Sequence, residues 1–231
     1  MMNTRSGKRS IAALCACILC LAVVIGSVFA LKAYADYSPP EALVNLWRQN
    51  HAVIGAINIP GTDIRYPILQ HPSIDDYYLN ICFDGKEGYP GSIYTNKMEG
   101  QVFDTFNTVI YGHNMSDGSY FGGLRLFRDP DYLAEHREIE IYGVNAKHVY
   151  DIFAVVVYND KRITDYYPDD RVADRKAFLN SLKADGEDGT ILLTDVAVDP
   201  NWGHIITLST CIHNQPDNRL LIVAAERASE G

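Results

Sequence analysis

The stretch Ile205-Ile206-Thr207-Leu208-Ser209-Thr210-Cys211, with residues 212–218 and then Arg219-Leu220-Leu221-Ile222-Val223-Ala224-Ala225-Glu226 behind it, decides the fold. Alternation of period two puts Thr207, Ser209 and Cys211 on one side of a strand and Ile206, Leu208 and Thr210 on the other. The intervening Asn214, Pro216, Asp217 and Asn218 are turn and loop formers, so the pattern predicts a hairpin with a seven-residue loop. Cys211 then ends one strand where Arg219 opens its antiparallel partner, and thiol and guanidinium share one end of a sheet. A cation at that end favours thiolate and can bind an oxyanion.

Working outward, further runs rich in β-branched and aromatic residues lie at 53–59, 64–69, 91–96, 108–111, 138–142 and 147–158. With the two strands above, which span 204–211 and 219–226, they make eight. Pro60-Gly61-Thr62-Asp63 reads as a turn between the first two and Gly143-Val144-Asn145-Ala146 as a hairpin between the fifth and sixth. Helical patterns interrupt the series at 41–50, 74–80, 120–136 around Pro130, and 172–183. The first follows Ser38-Pro39-Pro40 as a capped start and places Leu43, Leu46 and Trp47 on one face; the last does so with Val172, Phe178, Leu179 and Leu182. Helices do not alternate regularly with strands, which disfavours a doubly wound parallel sheet. The reading is a mainly β chain closed, or nearly closed, into a barrel with helical insertions.

The chain has 231 residues, 47% hydrophobic and 21% charged, a balance that excludes collagen-like, low-complexity and wholly disordered classes. Its net charge is -9, and residues 37–231 hold 16 basic against 28 acidic side chains, net -12. Such a surface repels phosphate backbones, and no basic stripe offsets it, so a nucleic-acid partner is not expected. Residues 10–31 carry no charge, and residues 11–31 would extend about 31 Å as a helix, enough to cross a bilayer. Arg5, Lys8 and Arg9 precede this run, while Lys32 and Asp36 follow it. The expected order is a cytoplasmic N-terminus at 1–9, a single-pass transmembrane signal-anchor at 10–31, a linker at 32–40 and an extracellular domain at 41–231. A secretory signal cleaved near Ala33-Tyr34-Ala35 is the alternative, and it exports the domain equally.

Cys15, Cys17 and Cys20 lie within the apolar run and count as small hydrophobes. Only Cys82 and Cys211 remain, which leaves either one disulfide or a thiol kept reduced because it reacts. A cysteine nucleophile calls for a histidine, and spacing does not choose among His51, His71, His113, His136, His148, His204 and His213. His113 stands just past a strand in Tyr111-Gly112-His113-Asn114, a glycine-flanked strand end where functional side chains are commonly displayed. His213 competes by its nearness to Cys211, and His204 sits at the opposite end of that strand.

Thr207-Leu208-Ser209-Thr210-Cys211, with Tyr111-Gly112-His113 upstream and Arg219 downstream, resembles the signature set of the sortases, membrane-anchored transpeptidases of Gram-positive bacteria. The resemblance covers roughly residues 41–227. It is greatest to class B, through a helix before the barrel, a helix before the Cys-bearing strand, Ile59-Pro60-Gly61-Thr62-Asp63-Ile64 and Asp76-Tyr77-Tyr78-Leu79-Asn80, although Ala56 stands where that class carries Trp. The resemblance implies an eight-stranded sortase barrel, with Cys211 as nucleophile, His113 as general acid and Arg219 positioning substrate and stabilising the oxyanion. It also implies Tyr111, Ser209 and Asn80 along the substrate groove. The reaction implied is cleavage after Thr in the C-terminal sorting signal of a surface protein, then transfer of the acyl group to an amine of a cell-wall precursor or pilin. No cofactor is implied. The acidic residues show no twelve-residue calcium loop, so no required metal is expected.

At ordinary pKa values a cysteine is about 3% thiolate and a histidine about one quarter protonated at pH 7, jointly under about 1%. Slow turnover with a bell-shaped pH profile is therefore expected. Two other readings use the same residues: a secreted cysteine peptidase that passes the acyl group to water, and a non-enzymatic tethered β module in which Cys82 and Cys211 form a disulfide.

Overall fold

The computed structural model describes residues 37–97, 103, 105–184 and 190–228, of which Pro39–Ala228 form one compact unit. The expected transmembrane segment at 10–31 lies outside the described residues, and among those described no helix is long and apolar enough to cross a membrane. In chain order the elements are α1 (Glu41–Gln49), β1 (Val53–Asn58), β2 (Arg65–Gln70), β3 (Ile93–Thr95), β4 (Asn107–Tyr111), α2 (Pro130–Glu135), β5 (Glu138–Gly143) and β6 (Lys147–Asn159). There follow α3 (Ile163–Tyr166), α4 (Val172–Ala184), β7 (Ile191–Leu192), β8 (Ile205–Ile212) and β9 (Gln215–Glu226).

The strands pair in the order β5-β1-β2-β3-β4-β8-β9-β6-β7, and an added β5–β6 pairing closes eight of them into a barrel. Closure leaves no open edge among those eight. All eight expected strands are present, and among the described residues β7 is a ninth, paired with Ala154 and Val155 of β6. Two neighbours are parallel, β2–β3 and β4–β8. The second of these lays the strand ending at Tyr111 beside the strand that carries Cys211.

Inward-facing Ile57, Ile68, Ile93, Ile110, Ile141, Ile152, Ile206, Leu208 and Ile222 fill the barrel with Phe121 and Phe127. The outward faces of β6, β8 and β9 are buried too, because Phe178 and Leu182 of α4 pack over Val156, Ile205, Leu221 and Val223. Residues 205–210 are buried at every position rather than at alternate ones: Ile205 lies under α4, and Thr207 Oγ1 donates to Asn107 Oδ1 at 2.9 Å. α4 thus matches the amphipathic reading of 172–183.

Other helical expectations change in detail. The start of α1 has no side-chain cap: Pro40 is the N-cap, and its carbonyl accepts from the amides of Leu43 and Val44. Leu43 is buried against Val53, Leu69, Tyr78 and Tyr94, while Trp47 is 46% exposed and meets the edge of His51. Only Tyr77–Leu79 within 74–80 is helical, as one 3-10 turn behind Asp76, whose φ is 55°. The 120–136 region divides into a 3-10 segment, Gly122–Arg128, and α2, with Pro130 at its first turn and Asp129 capping the amides of Asp131 and Tyr132. The four-residue α3 lacked any sequence signal.

Candidate active site

Strand register alone brings three distant residues to one rim of the barrel. In the parallel β4–β8 pair, Tyr111 stands beside Ser209. Two residues further along each chain, and therefore on the same face, come His113 and Cys211. In the antiparallel β8–β9 pair Cys211 faces Arg219, which also pairs with Tyr158 of β6. The hairpin is tighter than the composition implied. β8 continues to Ile212 and pairs with Gln215, leaving His213 and Asn214 as the turn and a bulge at Pro216-Asp217-Asn218. Asn214 adopts φ 59°, a left-handed conformation that asparagine tolerates.

Hydrogen bonds lock the two parallel chain ends together. Gly112 N donates to Ser209 O at 3.2 Å. Thr210 Oγ1 donates to Gly112 O at 2.7 Å, and Asn114 Nδ2 to Cys211 O at 2.9 Å. Gly112 itself is required by packing. A Cβ there would lie 2.4 Å from Ile93 Cδ1 and 2.7 Å from Phe121 Cδ2, inside any real contact distance. The tripeptide Tyr111-Gly112-His113 is therefore a strand end pressed onto the core, with the imidazole held at its tip.

His113, Cys211 and Arg219 all line one cavity of about 360 Å³. Cys211 is an exposed free thiol, and Cys82 is also free. The disulfide on which the tethered-module reading rests is absent. His113 Nε2 donates to Leu79 O at 3.1 Å, and its ring lies 4.9 Å from that of Tyr89. Arg219 Nη1 donates to Pro216 O at 2.8 Å and Asn218 O at 2.9 Å, bonds that fix the guanidinium against its own loop.

Of the expected groove residues, Tyr111 and Ser209 line this cavity, whereas Asn80 does not. Asn80 caps the 3-10 turn, exposed, with its carbonyl accepting from Gly88 N. The preceding Leu79 faces the cavity in its place. His213 is exposed in the hairpin turn, and His204 lies at the opposite end of β8 beside Glu226, 3.5 Å away. Neither lines the cavity.

The structure adds Asp76, Tyr94, Tyr158 and Arg162 to the lining. Arg162 pairs with Asp76, and Tyr94 donates to Asp76 Oδ1 at 3.0 Å. Burial, reinforced by the Asp76 carboxylate, pushes the Tyr94 and Tyr111 phenols well above their ordinary value, so both stay neutral at physiological pH. Asp76 stands in the 76–80 stretch that carries the family resemblance, but no local motif announced Tyr94, Tyr158 or Arg162. Asp76 and Arg162 are 86 positions apart and meet only because the loop before β3 packs beside the loop after β6.

The fold and this rim define a class: an eight-stranded mixed barrel that presents an open thiol beside an imidazole and a guanidinium. The sortase domain family model matches residues 57–228. Sortase B of Listeria monocytogenes is 33% identical over 175 residues, covering 74% of this chain and 67% of that protein. The solved structure of sortase B from Listeria monocytogenes superposes with a TM-score of 0.66 at 31% identity, covering 79% of this chain and 99% of that one. Sortase B from Bacillus anthracis gives 0.69 at 26% identity, covering 86% and 93%. The chain belongs to the sortase family, and its relatives are class B members.

Proposed function

We propose that this protein is a cysteine transpeptidase that cleaves a C-terminal sorting signal after Thr and transfers the acyl group to an amine. One observation carries the reading. Cys211, His113 and Arg219, spread over more than a hundred positions, line a single cavity with the thiol open to solvent. Family membership supports the transpeptidase class; the residue roles rest on this geometry and on motif resemblance.

In the first half-reaction Cys211 Sγ, as thiolate, attacks the carbonyl carbon of the Thr residue, and the electron pair of the C=O moves to oxygen. Arg219 has Nη1 committed to two backbone carbonyls, which leaves its Nε and Nη2 hydrogens to hold that oxyanion. Collapse breaks the C–N bond, and protonated His113 gives its proton to the departing amine. A thioester on Cys211 and neutral His113 remain. A neutral amine then attacks the thioester, His113 takes the proton it sheds, and the thiolate leaves. Tyr111 and Ser209, which line the same cavity, contribute to the substrate groove.

The charge-free run at 10–31 behind Arg5, Lys8 and Arg9 supports a membrane anchor with the catalytic domain outside the cell. There the partners would be surface proteins bearing sorting signals and an amine of a cell-wall precursor or pilin. The test is mass spectrometry of the full-length protein after exposure to a panel of sorting-signal peptides, with and without triglycine. The expected result is an acyl adduct on Cys211 that triglycine converts to an extended peptide. An adduct released only to water would identify a peptidase, and an unmodified Cys211 with every peptide would overturn the proposal.

A further inference from the structure

A second cavity, of about 470 Å³, adjoins the catalytic one, and Tyr111 and Ile163 line both. Its charged lining is Asp75, Asp165, Asp169 and Asp170 against Lys97. Some of that charge is answered within the wall. Arg162 reaches Asp75 at 3.4 Å and Asp165 at 3.9 Å, and Lys97 reaches Asp75 at 3.8 Å. Arg162 also pairs with Asp76, so five carboxylates share two cations and an excess of three negative charges remains. Asp169 also accepts from Asn107 N at 3.1 Å, which fixes its carboxylate in the lining.

Polar atoms of a different kind point to a ligand. Asn96 lines this cavity, is only 8% exposed, and its Nδ2 has no hydrogen-bond partner among the described residues. Its amide orientation is settled, because Oδ1 accepts from Asp76 N at 2.9 Å. A buried N–H without an acceptor is costly unless a bound group completes it. The Tyr111 hydroxyl, on the wall between the two cavities, is likewise buried and without a partner among the described residues. The cavity therefore offers negative charge for a cation and two buried groups for a hydrogen-bond acceptor. Among the described residues no three acidic, histidine or cysteine side chains converge as a metal-ligand set, so the spread of carboxylates suits an extended cation.

We infer that this cavity seats the acceptor: a short peptide with a free primary ammonium, its charge against the carboxylates and its carbonyl oxygens accepting from Asn96 Nδ2 and Tyr111 Oη. The inference rests on the transpeptidase reading, since only a transferase needs a second substrate beside the thioester. An acceptor docked there is concentrated beside the thioester: on leaving the carboxylates its ammonium gives one proton to one of them, and the neutral amine passes the Tyr111–Ile163 partition to attack the thioester carbonyl, His113 taking the second proton as the Cys211 thiolate leaves.

Two arms test it, both on the full-length protein. In the first, triglycine amide is titrated into the Cys211→Ala variant, alone and with Asp165→Asn/Asp170→Asn or Asp170→Asn added, with N-acetyl-triglycine amide and calcium chloride as controls. The expected result is saturable binding of the amine that weakens about three- to tenfold in the double variant and with added salt, and no binding of the acetylated peptide. In the second arm, the ratio of transfer to hydrolysis at low triglycine amide falls by a similar factor in the double variant. Equal binding of acetylated and free peptide, calcium binding without peptide binding, or an unchanged ratio would overturn the inference. Should the double variant fail to melt cooperatively, Asp170→Asn alone decides, because Asp170 is exposed. Absence of any acyl adduct on Cys211 would instead refute the transpeptidase proposal, leaving the binding arm to judge the cavity.

Discussion

Replacing Gly112 by alanine asks whether the strand end that carries His113 is set by packing. The new methyl carbon would stand 2.4 Å from Ile93 Cδ1 and 2.7 Å from Phe121 Cδ2, over 1 Å inside ordinary contact distance. Ile93 is 1% and Phe121 0% exposed, so neither can swing into solvent. Overpacking of this kind costs about 1–3 kcal/mol. In a domain of this size each kcal/mol lowers Tm by about 2–4 °C, so a drop of about 2–12 °C is expected in differential scanning calorimetry. The backbone is the softer route of relief, and moving it disturbs the bond from Gly112 N to Ser209 O and the bond that Gly112 O accepts from Thr210. A shift of about 1 Å at His113 would lower kcat/KM for a sorting-signal peptide about 100-fold. Trimming the nearest obstacle supplies the control. Ile93→Val removes Cδ1, costs about 0.5–1.5 kcal/mol by itself, and in the Gly112→Ala background should recover part of the activity. A Gly112→Ala protein with wild-type Tm and turnover would refute the reasoning, as would a double variant no better than the single.

Arg219→Lys should lose most peptide-cleavage activity while melting like the wild type, because a point charge does not reproduce a planar fork held by two carbonyls; near-normal kcat/KM would remove Arg219 from its assigned role. Cys211→Ala should abolish acyl-adduct formation in intact-mass measurements, whereas Cys82→Ala, outside the cavity lining, should form the adduct at the normal rate. Glu140 ties β1 to the β5–β6 hairpin, accepting from Lys147 Nζ at 2.5 Å, Asn58 Nδ2 at 2.6 Å and Tyr142 Oη at 3.0 Å. Burial alone would raise its pKa, but these three bonds together outweigh that and hold it below the usual carboxylate value. A depressed folded pKa contributes stability above the unfolded pKa near 4.3, lost as pH falls through the folded value. Glu140→Gln should therefore melt lower at pH 7, by about 1–3 kcal/mol of stability, and the gap should close in thermal melts taken below about pH 4; a gap independent of pH would contradict this linkage.

What was legible along the chain is what local physics writes there. Eight runs of β-branched and aromatic residues became eight strands, since period-two burial needs no knowledge of the partner strand. The two-residue β7 and four-residue α3 escaped because segments that short carry no periodicity, and Ile191 and Leu192 become a strand only by lying against Ala154 and Val155. The hairpin after Cys211 is tighter than its composition implies, because Pro216, Asp217 and Asn218 are loop formers that here make a bulge within paired strands.

Sequence by itself determined the mainly β class, the pairing of Cys211 with Arg219 and, through motif resemblance, the sortase family, because contacts within one hairpin and residue order need no long-range geometry. Only the tertiary structure decided which histidine and which loops join them. The parallel register of β4 against β8 carries His113 to Cys211 and leaves His204 and His213 elsewhere. Barrel closure brings Asp76 to Arg162 and sets an acidic cavity behind Tyr111. Those meetings depend on which strands become neighbours when the sheet closes, and that follows from the burial of the whole core rather than from any one segment.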